Sequence, residues 1–444
     1  MANHLRKLTI ALNIAALSLA GCSAAKPAEP APAAADQPKS AEKSDFVVST
    51  EPITLKLYAN VVRLSDIEYK NFFIDPIKKK YPNITIEKVD GDLEKLVMSG
   101  NVPDLIVSDS DWHMPLQALD LPLDLTDLVA RSKMDLSKFV PETIQAVRNL
   151  DAKGKELQGI PYNLNPGALF YNKDIFDKFG VPYPKDDMLW SDVLELSRKL
   201  TRAQDGVQYI GWDPRFPDHL VSPYTQPFVD PKTGKALVDI PLYHKVLELF
   251  KANYDQPGVV VGKTYAYGPD QFIKDKKLAM QADWVAKLQS DLLQADANGV
   301  GINWDVVTNP TFEDAKGKGR HTLTSMLVIT KASKYKEQAM QVIQLITSPE
   351  QQMAMSKDSQ VTVLNDPEIV KAYGTGNPAL KGKNTAAYFK YKSSPTPTPN
   401  KYDKEVQTLI RNMRGEMALN KKDINTVLRE TQEAADKKIA ELSK

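Results

Sequence analysis

The sequence predicts an α/β protein, and three observations carry that expectation. From Phe46 onward, short runs that alternate apolar and polar residues take turns with longer stretches of helical periodicity. The first three strand-like runs, at 53–58, 84–89 and 104–107, are separated by helix-length segments, the spacing of a parallel sheet with crossover helices. The 444 residues are 42% hydrophobic and 25% charged, enough apolar material for two to three domain-sized units.

Taken in order, Ile53-Thr54-Leu55-Lys56-Leu57-Tyr58 alternates as a strand with one buried face. Residues 67–81 have a helical pattern that Tyr81-Pro82-Asn83 stops, since proline disfavours helix in the residue before it. Residues 84–89 make a second strand and 104–107 a third. Ligands of such sheets lie beyond the carboxyl ends of the strands, which directs attention to the loops after Tyr58 and Val107. Ala168-Leu169-Phe170-Tyr171 reads as a strand, and 172–179 as a helix ended by Gly180. Val181-Pro182-Tyr183-Pro184 is a turn, and Ser191 is the expected cap of a helix reaching Leu200. Helices are expected at 242–254, 270–277, 285–297 and 334–346, and strands at 306–307 and 326–330. An extended Pro395-Thr396-Pro397-Thr398-Pro399 loop leads into two tail helices, 401–420 and 423–442.

Bulk composition excludes several classes. With 57 basic and 56 acidic residues the chain lacks the positive excess of a nucleic-acid binder. One cysteine forms no intramolecular disulfide, and with five histidines no Cys- or His-rich metal pattern exists, so neither metal nor cofactor is expected. The nucleophile elbow G-x-S-x-G, the zinc motif H-E-x-x-H and both glycine-rich nucleotide loops are absent, so no enzyme is expected. Asp and Glu are plentiful enough for the paired carboxylates of glycoside cleavage, yet a binding site uses the same residues without chemistry.

Residues 1–22 read MANHLRKLTIALNIAALSLAGC. Arg6 and Lys7 precede a mostly apolar run at 8–19, shorter than the ~20 residues a bilayer requires and suited to a signal peptide. Its end, Leu19-Ala20-Gly21-Cys22, resembles the bacterial lipobox, in which the cysteine is acylated and the chain is cut before it. The competing reading is an ordinary secretory signal and a cysteine buried by chance. On the lipobox reading, 1–21 is a lipoprotein signal peptide and Cys22 the lipid attachment site on the extracytoplasmic face of the cell membrane. Residues 22–45, rich in Ala, Pro and charge and free of aromatics, are expected to form a disordered spacer extending up to ~3.1 Å per residue. Such a tether fits a Gram-positive surface as well as a periplasmic face, and the former is favoured. No other segment has ~18 consecutive apolar residues, so no transmembrane helix is expected.

Residues 159–200 hold a series of motifs: Gly159/Pro161, Tyr171-Asn172-Lys173, Gly180/Pro182/Pro184 and a helix led by Trp190. Lys277-Leu278-Ala279-Met280-Gln281-Ala282-Asp283-Trp284 follows, and then a late helix and Ser348-Pro349-Glu350-Gln351-Gln352. In this order they resemble the extracellular solute-binding proteins of ABC importers, the carbohydrate-binding family that includes maltose-binding protein, over roughly residues 50–370. The resemblance implies a two-lobe, periplasmic-binding-protein-like fold with a hinge and an interlobe ligand cleft. Lobe one would comprise 46–164 plus 306–356, lobe two 165–305 plus 357–444, and the first hinge 163–167. It also implies capture of a carbohydrate, expected to be an oligosaccharide, by a monomer that hands it to the permease subunits of an ABC importer. A ligand sensor of the same fold feeding a membrane receptor kinase is one alternative; an extracellular glycan-acting enzyme is another.

A sugar offers flat apolar faces ringed by hydroxyls, so its site needs aromatic planes beside carboxylates, amides or guanidinium groups. The loop Ser108-Asp109-Ser110-Asp111-Trp112-His113 has both, and the resemblance puts a sugar-binding carboxylate at Asp111 with Trp112 as a platform. The alternatives are that Asp109 and Asp111 cap a helix and Trp112 packs on the surface, or that Asp109, Asp111 and His113 bind a metal without a glycine-containing calcium loop. Asn60 and Arg63 follow the first strand, and Asn165 falls at the hinge, positions where the family often places polar contacts. Asp283 and Trp284 precede a helix of lobe two, and Trp212 with Asp213 forms a second platform–carboxylate pair; packing or loop solvation is the competing reading for each. Tyr224 and Tyr267 are weaker candidates among seventeen tyrosines. The charged C-terminal helices read as solvated faces. No arginine cluster is visible near the expected cleft, which favours neutral solutes over acidic ones.

Overall fold

The protein is described here by a computed structural model covering residues 46, 48–60, 64–151 and 153–443. Cys22, the apolar leader, the spacer and Arg63 lie outside the described residues. The strands, in chain order, are β1 (Ile53–Ala59), β2 (Ile84–Val89), β3 (Leu105–Asp109), β4 (Ile160–Leu164), β5 (Gly167–Asn172) and β6 (Arg202–Gln204). They continue as β7 (Val207–Asp213), β8 (Leu278–Trp284), β9 (Trp304–Thr308), β10 (Lys318–His321), β11 (Thr324–Ile329) and β12 (Lys392–Ser394).

Two five-stranded sheets result. The first has the order β2-β1-β3-β11-β4, parallel through β1, β2 and β3 and antiparallel at β11. The second has the order β6-β7-β8-β5-β9, with β7 and β8 parallel and the other pairs antiparallel. β10 and β12 form a separate parallel ribbon. The second sheet is buried on both faces: Leu169 and Tyr171 of β5 enter one core, and Ala168 and Phe170 enter another. That double burial explains β8, whose LAMQADW shows no alternation because both faces are covered. The helix expected at 270–277 stops at Ile273, and β8 begins five residues later.

The helix expected at 67–81 forms as Asp66–Tyr69, a widened π turn Lys70–Ile74, and Asp75–Lys80. The wide turn precedes Pro76, which has no N–H and whose ring crowds the preceding turn of an α-helix. Trp190–Leu200 forms as expected but Ser191 lies inside it; the Asp192 carboxylate accepts the Leu189 N–H at 2.8 Å and closes the helix start. The tail helices, Asp403–Ala418 and Ile424–Leu442, are more than solvated faces. Val406, Ile410, Met413 and Met417 recur at helical spacing and sink into the second-lobe core, joined by Val427, Leu428, Ala435 and Ile439. No helix among the described residues is long and apolar enough to cross a membrane.

Asn165 and Pro166 join β4 of the first sheet to β5 of the second. The later crossings fall further along the chain than expected. Val306, Val307 and Thr308 pair with Phe170, Leu169 and Ala168, so the chain stays in the second sheet beyond 306 and returns only at β11. Val361 touches the second-lobe core, but Val363, Leu364 and Ile369 pack in the first-lobe core, so the chain returns to the first lobe beyond 357 before Tyr373 enters the second. A strand read from two apolar residues does not reveal how far its pairing runs.

Candidate functional site

On the first-lobe side, the site is built at the carboxyl ends of β1 and β3. Asn60 ties the two loops together: its N–H donates to the Val107 carbonyl at 2.7 Å, and its amide donates to Ser108 Oγ at 3.2 Å and the Trp112 carbonyl at 3.4 Å. Ser110–Trp112 makes one tight turn, and Trp112 is 43% exposed. Ser325 Oγ donates to Asp109 Oδ1 at 2.6 Å. Burial pushes the Asp109 carboxyl up to about 6, opposed by that hydrogen bond and reinforced by the charge of Asp111. His113 is buried and turned to Gln158, its Nε2 2.9 Å from Oε1, so it does not join the two carboxylates. No set of three or more His, Cys, Asp or Glu among the described residues is arranged to hold a metal ion.

The other wall comes from the second lobe and the β10 ribbon. His321 Nε2 lies 3.1 Å from Asp111 Oδ2, and an acceptor-only carboxylate there requires the proton on Nε2. Ser222 fixes the ring from behind, accepting the His321 backbone N–H at 2.8 Å and bonding Nδ1 at 2.8 Å. Trp284, the last residue of β8, stands edge-to-face to His321 with centroids 5.3 Å apart and to His219 at 6.4 Å. The Arg320 guanidinium lies 4.9 Å from the Trp284 ring centre. Asp111 and Trp284, both singled out in the sequence, are therefore linked through His321.

Asp213 and Asp283 meet at Arg215. Asp213 Oδ1 accepts the Arg215 N–H at 2.8 Å and its other oxygen accepts the Tyr267 N–H, while Arg215 Nη2 lies 3.4 Å from Asp283 Oδ2. Asp283 also accepts from Gln281 Nε2 at 3.0 Å and from its neighbour's N–H at 2.8 Å. Trp212 does not serve as a platform. It is fully buried and stacked on Trp190 at 5.3 Å in the second-lobe core, where no solute reaches its face. The Asn165 side chain is taken up structurally, its Oδ1 accepting the Ala286 N–H at 2.9 Å at the start of the helix Val285–Ala297. Tyr224 and Tyr267 are engaged with Asp314 and the Val259 carbonyl.

Sequence reasoning missed the arginines. Arg411 and Arg414 each lie 4.4 Å from the Phe216 ring centre, and Arg215 lies 5.3 Å from it. Arg411 forks onto the buried Asp218. With Arg320 these guanidinium groups form the cluster that the sequence did not reveal, because three separate segments supply them. One signal was available: Asp403, Gln407, Arg411 and Arg414 fall at helical spacing on a polar stripe of one tail helix.

Asp403 begins that stripe. Burial pushes its carboxyl up to about 6, with Asp111 and Glu405 adding to the shift and the Asn400 N–H opposing it. A raised carboxyl contributes stability that is fully present below its unfolded value of 3.8 and is lost as pH rises through about 6. Asp403→Asn is therefore expected to stabilise the protein at pH 7.5 by up to about 3 kcal/mol and to change little at pH 4. Thermal melts at the two pH values test this; a variant that melts below the parent at pH 7.5 overturns it.

Two α/β lobes whose strand ends face each other across aromatic rings and ionic side chains define a two-lobe solute-binding protein. Solved structures share the fold. An ABC substrate-binding protein from Listeria monocytogenes in complex with cycloalternan superposes with a TM-score of 0.69 at 17% identity, covering 88% of this chain and 100% of that one. A sugar transporter from Rhizobium etli in an open conformation gives 0.70 at 18% identity over 86% and 99%. The sugar-binding protein MalE from Xanthomonas citri gives 0.67 at 18% identity over 88% and 98%. Residues 66–353 match the sequence model of the bacterial extracellular solute-binding proteins. The chain belongs to that family.

Proposed function

We propose that this protein captures a carbohydrate, an oligosaccharide by preference, between its lobes and delivers it to the permease of an ABC importer. In this reading it is tethered through a lipid on Cys22 to the outer face of the cell membrane. The observation that carries the reading is the meeting of Asp111 of one lobe with His321 and Trp284 of the other. Trp284 and the exposed Trp112 offer ring faces, while Asp111 and Asn60 offer acceptors and donors for hydroxyls. A solute between them touches both lobes, so its binding energy favours the closed arrangement over the open one. Relatives of the same fold include proteins described with cycloalternan, mannobiose and maltose bound, which supports a saccharide.

A thermal-shift screen against mono- and oligosaccharides tests it. A sugar at ~100 times its dissociation constant stabilises by ~2.7 kcal/mol, which raises the midpoint by a few degrees. The shift is expected to disappear in Trp284→Ala and Asp111→Ala. If no sugar in a broad panel moves the midpoint, the carbohydrate reading fails.

A further inference from the structure

Resting on that reading of the cleft as a saccharide site, we propose that the solute is an acidic saccharide whose carboxylate is clamped by Arg320. Arg320 is 2% exposed. Its Nε donates to Asn309 Oδ1 at 3.1 Å, but Nη1 and Nη2 are buried and have no hydrogen-bond partner among the described residues. A buried cation with two idle donors is costly, and a planar two-nitrogen edge matches the two oxygens of a carboxylate. The position of the guanidinium is built in. Its stem crosses Gly167, where a Cβ would stand 2.5 Å from Arg320 Cδ, and its guanidinium carbon lies 4.9 Å from the Trp284 ring centre. Two further donor-capable atoms nearby, Arg215 Nε and His219 Nδ1, are likewise buried without partners among the described residues. His219 faces the same Trp284 ring.

The free edge of Arg320 selects the kind of anion. Around Trp284 and Phe216, Arg215, Arg320, Arg411 and Arg414 face Asp213, Asp218 and Asp283, and Asp403 lies on the same helix stripe as Arg411 and Arg414, so carboxylates match the arginines in number. Asp111, the nearest first-lobe carboxylate, is engaged by His321. Burial lowers Arg320 to about 10, which leaves it charged at neutral pH. Arg320 alone of the four has both Nη atoms buried without a partner among the described residues, a planar edge that a carboxylate fits with its two oxygens. The arrangement reverses the expectation of a neutral solute drawn from the sequence.

Calorimetric titration of the purified protein with matched pairs tests the proposal. The probes are oligosaccharides of galacturonic and glucuronic acid, their galactose and glucose counterparts, and the corresponding 6-sulfates and 6-phosphates. One uronic-acid member is expected to bind about 10- to 100-fold tighter than its neutral counterpart. Arg320→Met is expected to lower the affinity for the acidic member about 10- to 100-fold and to bring the acidic-to-neutral ratio close to one. Arg320→Lys keeps the charge but not the two-pronged edge and is expected to lose most of the preference. If Arg320→Met does not fold, the wild-type ratio and the lysine variant still decide. Neutral sugars binding as tightly as acidic ones overturn the clamp and leave the saccharide site standing. A sulfate or phosphate ester binding tightest overturns the carboxylate. No heat from any member of any pair overturns both the clamp and the saccharide reading.

Discussion

Replacing Arg411 by methionine is expected to lower the unfolding free energy by about 3–5 kcal/mol, a midpoint drop of roughly 6–20 °C. The Arg411 Nε lies 3.0 Å from both oxygens of Asp218, and Nη2 lies 2.6 Å from Oδ2. The Asp218 side chain is only 4% exposed, so the carboxylate left behind keeps a single side-chain donor, Gln407 Nε2 at 3.0 Å. An ion stripped of its partner in such a place costs far more than the pair contributed when intact. Replacing both members, Arg411→Met with Asp218→Leu, is therefore expected to recover most of the loss, which a double-mutant cycle in urea reads directly. Arg411 also lies 4.4 Å from the Phe216 ring centre, so the single variant loses that contact as well. If the single variant unfolds within 1 kcal/mol of the parent (about one tenth of a typical domain's stability), the buried pair is not what holds this wall in place.

Gly211→Ala is the second large effect, and its cause is steric. β7 packs so closely on the helix Trp190–Leu200 that a Cβ at Gly211 would lie 2.4 Å from both the Cα and the carbonyl oxygen of Ser197. Those are backbone atoms, which have no rotamer to escape into. The sheet and helix must separate, opening the Trp190–Trp212 stack and straining the bond from the Gly211 N–H to Thr201 Oγ1 at 2.9 Å. A cost of about 3 kcal/mol is expected, at the upper end for overpacking. Because Asp213 is two residues further along β7, affinity is expected to fall along with stability. An alanine variant with an unchanged midpoint would show that the helix yields freely.

Several parts of the site were legible because they sit where strand ends must be. Asp109 ends β3 with Asp111 and Trp112 just beyond it, and Asp283 and Trp284 end β8, positions that a parallel strand presents to a cleft whatever the rest of the chain does. Trp212 also sits near a strand end, one residue before the last of β7, and position alone could not tell that its ring turns inward onto Trp190. His321 and Arg320 were invisible for another reason. They lie on β10, a four-residue strand of a two-stranded ribbon, too short to leave a period in the sequence.

Through the periods of two and of 3.6, the sequence by itself determined the α/β class, most of the long helices and four of the five strands of the first sheet, but only β5 and β9 of the second. Its spaced motifs pointed to the solute-binding family, whereas the tail helices, read as solvated faces, turned out to carry an apolar stripe buried in the second-lobe core. Those signals are local, since each reports only which face of its own element a residue occupies. Which charges meet is a property of contacts between distant segments. Asp111 finds His321 across 210 residues, and Asp218 finds Arg411 across 193. Only the tertiary structure decided that four arginines converge on one wall of the cleft, because packing sets through-space distance and no periodicity along the chain encodes it.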